Sequence, residues 1–358
     1  MNRIVASRAI EKTFRLREGY RIAGHTFTSA TMVLLRLETA DGLAGFGCAA
    51  PFEEVTGESP AASLAALRDR LLPLAAEAAS TEPCAPLLDR AAAVAPGAPA
   101  ALAAFDMALH DLAARRAGVP LHRMLGAART RIATSVTLGI EADVEAAVAR
   151  AVRWVADGYF ILKLKVGEDR EADVTLVRRL RERLGPAVRL RADANQGYDE
   201  AEAVRFLREV ASCDLELLEQ PVEAGDDARL RRVADATPIP IMADESLLGE
   251  ADAARLAGAR VVDLFNVKLM KCGGIRPGLA MARYAQAAGI GVMVGCNDES
   301  RISIAAGLHL ALSAPAIDRV DLDGHLDLQD DVARGGFRVD AGWLAPLEEP
   351  GLGVSADF

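Results

Sequence analysis

The chain has 358 residues, 51% hydrophobic and 26% charged, which is enough apolar material for one large core and a smaller second unit. Its net charge of −10 and pI near 5.2 offer no basic surface for nucleic acid, and no window approaches the roughly 18 apolar residues of a membrane span. Met1 to Glu11 alternates polar and apolar residues and is no signal peptide, so a cytoplasmic protein is expected.

The five cysteines, Cys48, Cys84, Cys213, Cys272 and Cys296, are odd in number and lack metal-type spacing, so reduced thiols are expected. Thr31 to Thr39 (TMVLLRLET) is β-rich, Asp41-Gly42 marks a hairpin turn, and Leu43 to Ala49 returns as a second strand. Helical periodicity follows over Ala61 to Ala79 and over Pro99 to Ala117, the latter stopped by Gly118 and Pro120. Residues 1–125 therefore read as an α+β unit.

From Ile132 the pattern becomes an alternation of short apolar strands and amphipathic helices. The strands are Ile132–Leu138, Phe160–Val166, Val188–Asp193, Leu215–Glu219, Ile239–Asp244, Val261–Lys268, Gly291–Gly295 and Ala316–Asp321. Helices fall between them, as at Ala142–Ala156, Ala172–Leu184, Glu200–Val210 and Pro277–Ala288. Such alternation implies parallel strands with right-handed crossovers. Eight units over residues 126–324 predict a closed α/β barrel rather than an open, doubly wound sheet. The tail, 325–358, is expected to fold back on the first unit.

Active sites of such barrels form at the C-terminal strand ends. Here those ends carry Lys163 and Lys165, then Asp193 with Asn195, Glu219, Asp244 with Glu245, Lys268, and finally Asp321 and Asp323. Asp193, Glu219, Asp244 and Lys268 follow one another at intervals of 26, 25 and 24 residues, equivalent places in successive units. Three converging carboxylates cannot all stay ionised without a cation, and hard oxygen ligands select Mg²⁺ over Zn²⁺. The competing reading, solvated loop acids or helix caps, suits one such residue better than three in register.

Lys163 and Lys165 alternate onto one face, and the surrounding Ile161, Leu162, Leu164 and Val166 are expected to pack outward, which turns the lysines into the barrel. Lys268 lies across from Lys165. An organic acid on the metal would have an amine on each face of its α-carbon. A cation and ammonium groups stabilise the enediolate left by proton loss, and proximity to the metal should lower a lysine's pKa. Salt bridging alone is the alternative.

In this order and spacing, Lys-x-Lys, Asp-x-Asn, Glu-Gln-Pro, Asp-Glu-Ser and the later lysine resemble the enolase superfamily, in its muconate-lactonizing-enzyme-like branch, over nearly the whole chain. The resemblance implies a (β/α)₈-type (modified TIM) barrel under an N-terminal α+β capping domain. It implies Asp193, Glu219 and Asp244 as ligands of one Mg²⁺, Lys165 and Lys268 as the acid/base pair, and Lys163 as the group that polarises the substrate carboxylate or tunes its neighbour. Asn195 and Glu245 would support those ligands. Asp321-Leu322-Asp323 is similar to the Asp-x-Asp that holds the substrate ammonium in dipeptide epimerases, which implies inversion at the C-terminal residue of an L,L-dipeptide by two-lysine 1,1-proton transfer.

The stretch Gly295–Ile302 also resembles the seventh strand of those epimerases, except that Asn297-Asp298 replaces apolar residues. Cys296, Asp298, His25 and Glu53 are the candidate contacts to substrate side chains. His25 stands where Ala-Glu epimerases carry an arginine, and Glu53, Glu54 and Asp298 add acid, so cationic or neutral dipeptides are expected over Ala-Glu. Related lyases and cycloisomerases, such as o-succinylbenzoate synthase, and N-acylamino-acid racemases share the lysines and ligands without needing the Asp-x-Asp. A barrel without catalysis would not need the lysines. Relatives of this kind form homo-oligomers, and one is expected here.

Overall fold

The computed structural model describes residues 2–358. β1 (Ile4–Ile22) and β2 (His25–Thr39) form one long antiparallel hairpin, and β3 (Ala44–Ala49) pairs with β2 beyond the Asp41-Gly42 turn. The 19-residue β1 exceeds what the sequence pattern suggests. Its exposed face is charged, and its register shifts between Arg15 and Tyr20, which breaks the alternation.

β3 lies hard against the helix Pro99–Ala117: a Cβ at Gly47 would stand 1.9 Å from the Ala104 carbonyl oxygen. The helix expected over Ala61–Ala79 is broken into Pro60–Ala66, a π turn at Leu67–Leu71, and Leu72–Glu77. Pro73 has no N–H for the Asp69 carbonyl, so the i→i+4 ladder opens there.

Eight strands then run parallel in chain order. They are β5 (Val136–Leu138), β6 (Ile161–Lys165), β7 (Arg189–Asp193), β8 (Leu215–Glu219), β9 (Ile241–Ala243), β10 (Leu264–Lys268), β11 (Gly291–Gly295) and β12 (Ile317–Asp321). Thr134 bridges Val320, and the Ser135 N–H donates to the Val320 carbonyl at 3.3 Å, so the last strand returns to the first. The eight-stranded barrel is therefore as expected, with one correction. Ile132–Leu138 is two pieces: β4 (Ile132–Ala133) pairs antiparallel with β15 (Trp343–Pro346), and barrel pairing starts only at Val136.

The intervening helices include Val144–Ala156, Arg170–Leu184, Glu200–Glu209 and Ile275–Ala288. Asp143, Asp169 and Asp199 cap the first three by accepting their first free N–H groups.

Alternation sends Lys163, Lys165 and also Ile161 inward, while Leu162, Leu164 and Val166 join the main core; Ile161 does not belong to the outward set. Below the functional residues, Leu217, Met242, Leu264 and Met293 form a separate buried layer. Arg191 completes that floor, 1% exposed, donating to Glu216 at 2.8 Å and to the Val320 carbonyl at 3.0 Å. In the tail, β13 (Ala333–Gly335) pairs with β16 (Val354–Ala356), and β14 (Phe337–Asp340) with β15. The tail meets the first unit at Asp111, which accepts the Leu352 N–H at 2.7 Å, and at Arg115, which donates to the Val354 carbonyl at 2.6 Å.

Candidate active site

Asp193, Glu219 and Asp244 end three adjacent strands, and each offers a carboxylate oxygen within 4.8 Å of the others. All three are buried. Lys163 stands among them, its Nζ 3.0 Å from Asp193, 2.9 Å from Glu219 and 2.8 Å from Asp321. Lys165 Nζ donates to Asp193 Oδ2 at 2.7 Å and to Asn195 Oδ1 at 2.9 Å. Lys268, from β10 across the barrel, lies 2.9 Å from Asp244 Oδ2. The structure thus gathers the predicted trio and all three predicted lysines.

The charges are unequally balanced. Burial would raise Asp193, but Lys163 and Lys165 hold it near 2. Burial and the neighbouring Asp193 push Glu219 up to about 7. Its Oε1 accepts from Asn266 Nδ2 at 2.6 Å, while its buried Oε2 has the Lys163 ammonium 2.9 Å away but no aligned hydrogen bond among the described residues. Hard oxygen donors, surplus negative charge and a buried oxygen without an aligned hydrogen bond suit a divalent cation. Lys268 faces Asp244 directly. Burial alone would lower its pKa, but Asp244 outweighs burial and raises it. The carboxylates that would share a cation press their full charge on the amine.

Sequence reasoning missed Lys271. It is 5% exposed, donates to the Asp244 carbonyl at 2.6 Å and the Asn266 carbonyl at 3.2 Å, and also contacts Asp244 Oδ1. Its spacing of one helical turn from Lys268 was the available signal. Gln220 was missed too; its Oε1 accepts the N–H groups of Asp244 and Ser246 at 3.0 and 3.1 Å and so aims the Asp244 side chain.

Above these groups opens a cavity of about 760 Å³ whose lining includes Lys163, Lys165, Lys268, Asp321 and Asp323. The two aspartates of Asp-x-Asp differ. Asp321 is tied by Lys163 at 2.8 Å and by the Ser135 hydroxyl at 2.7 Å. Asp323 accepts the Thr137 N–H at 2.6 Å, and burial with the Asp321 charge pushes it up to about 7. Asp298 accepts from the Tyr20 hydroxyl at 3.1 Å, and burial raises it to about 7. Asp327, also in the lining, is raised to about 7 by burial and by Asp298.

Neither Asp298 nor Asp327 forms a salt bridge among the described residues, whereas Arg21 and Arg150 in the same wall are paired with Glu168, Glu18 and Glu141. Cys296 lines the cavity and accepts the Gly324 N–H at 3.4 Å. His25 and Glu53 reach the rim, and His25 is paired at 2.8 Å with Glu54. Asn297 donates to the Ala50 carbonyl at 3.1 Å, which ties the loop after β11 to the segment that follows β3. Of the histidines, His110, His122, His309 and His325 lie outside the lining.

Residues 146–358 match the family described as enolase C-terminal domain-like, and residues 5–126 match the N-terminal domain of mandelate racemase / muconate lactonizing enzyme. An L-Lys-D/L-Arg epimerase from Methylococcus capsulatus is 46% identical over 343 residues, 95% of this chain and 96% of that protein. A dipeptide epimerase from Methylococcus capsulatus, solved with Mg and the dipeptide L-Arg-D-Lys, superposes with a TM-score of 0.94 at 44% identity, covering 98% of this chain and 99% of that one. A substrate-liganded L-Ala-D/L-Glu epimerase from Bacillus subtilis superposes with a TM-score of 0.96 at 34% identity, covering 99% and 100%.

Proposed function

The chain belongs to the enolase superfamily, in the mandelate racemase and muconate lactonizing enzyme group and among its dipeptide epimerases, and from that premise we propose that it inverts the α-carbon of the C-terminal residue of an L,L-dipeptide with Lys165 and Lys268 as paired base and acid. One observation carries this reading: two cavity-lining amines rise from β6 and β10, on opposite sides of the carboxylate trio. An amine on each side can remove a proton from one face and return one to the other.

Asp193, Glu219 and Asp244 would hold Mg²⁺, which would neutralise the second negative charge that gathers on the substrate carboxylate as the α-proton leaves. Lys163 is enclosed by three carboxylates, so its role is to orient and balance charge rather than to carry the proton. Asp323 and Asp321 seat the dipeptide's ammonium.

The unpaired acids Asp298 and Asp327 favour a cationic side chain over the glutamyl carboxylate of Ala-Glu. The 46% identity to an L-Lys-D/L-Arg epimerase supports the same direction.

Deuterium should enter the α-position of Lys- or Arg-containing dipeptides in D₂O with Mg²⁺. Inversion should stop in Lys165→Ala, in Lys268→Ala and with chelator. Inversion that persists in both variants would end the two-lysine reading. Faster turnover of Ala-Glu than of Lys- or Arg-containing dipeptides would end the charge argument alone.

A further inference from the structure

Asn195 follows the metal-side ligand Asp193 by two residues and sits at φ 41°, a left-handed conformation few side chains tolerate. Its main-chain N–H donates to Asp193 Oδ1 at 3.0 Å. Its side chain faces two ways. The amide oxygen accepts from Lys165 Nζ at 2.9 Å, and the amide nitrogen donates to Glu245 Oε1 at 3.3 Å. Lys165 when charged can only donate, so it fixes which way the amide points, oxygen to the lysine and nitrogen to Glu245. Glu245 is 8% exposed, and its other oxygen has no hydrogen bond. A buried carboxylate with an unpaired oxygen costs stability, and here its visible contact is with Asn195.

The lysine nitrogen is tetrahedral. One position is Cε; Asp193 Oδ2 and Asn195 Oδ1 take two N–H groups. A single position remains for the transferable proton or, in the neutral amine, for the lone pair. Among the described residues, Lys268 has no such partner beyond Asp244.

Resting on the two-lysine reading above, we propose that Asn195, locked by Glu245, is a positioning residue that aims the reactive position of Lys165 at one face of the substrate α-carbon. The reaction it serves is unchanged: Lys165 takes or gives one proton, and Asn195 exchanges none. Its effect is therefore one-sided. It governs the Lys165 face and leaves the Lys268 face to Asp244.

The test isolates each face. In a Lys268→Ala background only Lys165 can exchange the α-proton, and in a Lys165→Ala background only Lys268 can. Asn195→Ala and Asn195→Gly would be added to each, with α-deuteration of a Lys-containing dipeptide read by mass spectrometry. The glycine variant keeps the left-handed backbone free of strain while removing the amide. The expected result is that both substitutions lower the ratio of Lys165-face to Lys268-face exchange by tenfold or more, with Glu245→Leu moving it in the same direction. Mg²⁺ affinity by calorimetry should change much less than that ratio.

Equal loss on both faces, or a parallel loss of Mg²⁺ affinity, would show a merely structural residue and overturn the proposal. Recovery by glycine would also overturn it, because the backbone turn alone would then account for Asn195. If the Lys165→Ala parent itself exchanged both epimers, the two-lysine reading would fall, and the ratio would not be the cause.

Discussion

Lys271→Met tests whether the buried amine beside Lys268 is part of the frame that holds Asp244. The ammonium has three acceptors, two of them main-chain carbonyls, which matches its three donors. Methionine keeps most of the unbranched length, one atom shorter, and removes the charge. It leaves one Asp244 carboxylate oxygen without its ammonium at a site 2% exposed, while the Asp244 carbonyl keeps the Leu247 N–H at 3.0 Å. Removing one partner of a buried pair costs about 3–5 kcal/mol. With an unfolding entropy of about 2.1 cal/mol/K per residue, a chain of 358 residues loses about 4–7 °C in melting temperature for that cost. A cation on the same carboxylates would replace part of the missing positive charge. The deficit should therefore be larger in chelator than in saturating Mg²⁺, as read by scanning calorimetry in parallel with wild type. A fall under about 1 °C, or a deficit that grows on adding Mg²⁺, would refute the reasoning.

Asp298→Asn removes an acid with no basic partner, so kcat/KM for a Lys- or Arg-containing dipeptide should drop about tenfold, about 1.4 kcal/mol, relative to Ala-Ala. An unchanged ratio would mean that the side chain sits elsewhere. His309 is buried, and burial with the adjacent His122 lowers it from 6.5 to about 3. The unfolded chain takes up a proton that the folded chain refuses, so this stability is present above pH 6.5 and is lost as pH falls toward 3. His309→Asn should flatten the dependence of melting temperature on pH across that window, and parallel profiles would count against it. Gly47→Ala drives a methyl into the Ala104 carbonyl, and a loss of about 3 kcal/mol is expected in thermal unfolding; wild-type stability would mean that the helix shifts without cost.

Much of the site was legible because the barrel repeats. Polar residues at near-constant intervals mark strand ends, so Asp193, Glu219, Asp244 and Lys268 could be placed from order alone. The side chains that hold them were harder to see. Lys271 in Lys-Leu-Met-Lys looks like an exposed helical lysine, and only its burial shows otherwise. Tyr20 meets Asp298 from 278 residues away, a contact no local pattern encodes. Ile132–Leu138 reads as one strand because apolar content does not reveal which sheet each half joins; Thr134 and Ser135 make that change, and both bond across to β12 and its end. His25 was placed near substrate by its resemblance to an arginine position, but its partner Glu54 lies after β3, 29 residues on, beyond what a linear pattern can pair.

The floor of Leu217, Met242, Leu264, Met293 and Arg191 closes the barrel beneath the lysines. Arrival and departure then use the cavity mouth bordered by the hairpin of β1 and β2. Because left- and right-handed forms of the product pass the same threshold, changes in that hairpin can alter how quickly both are handled and which side chains are admitted. They cannot bias the final mixture, which the free energies of the two peptides in water decide.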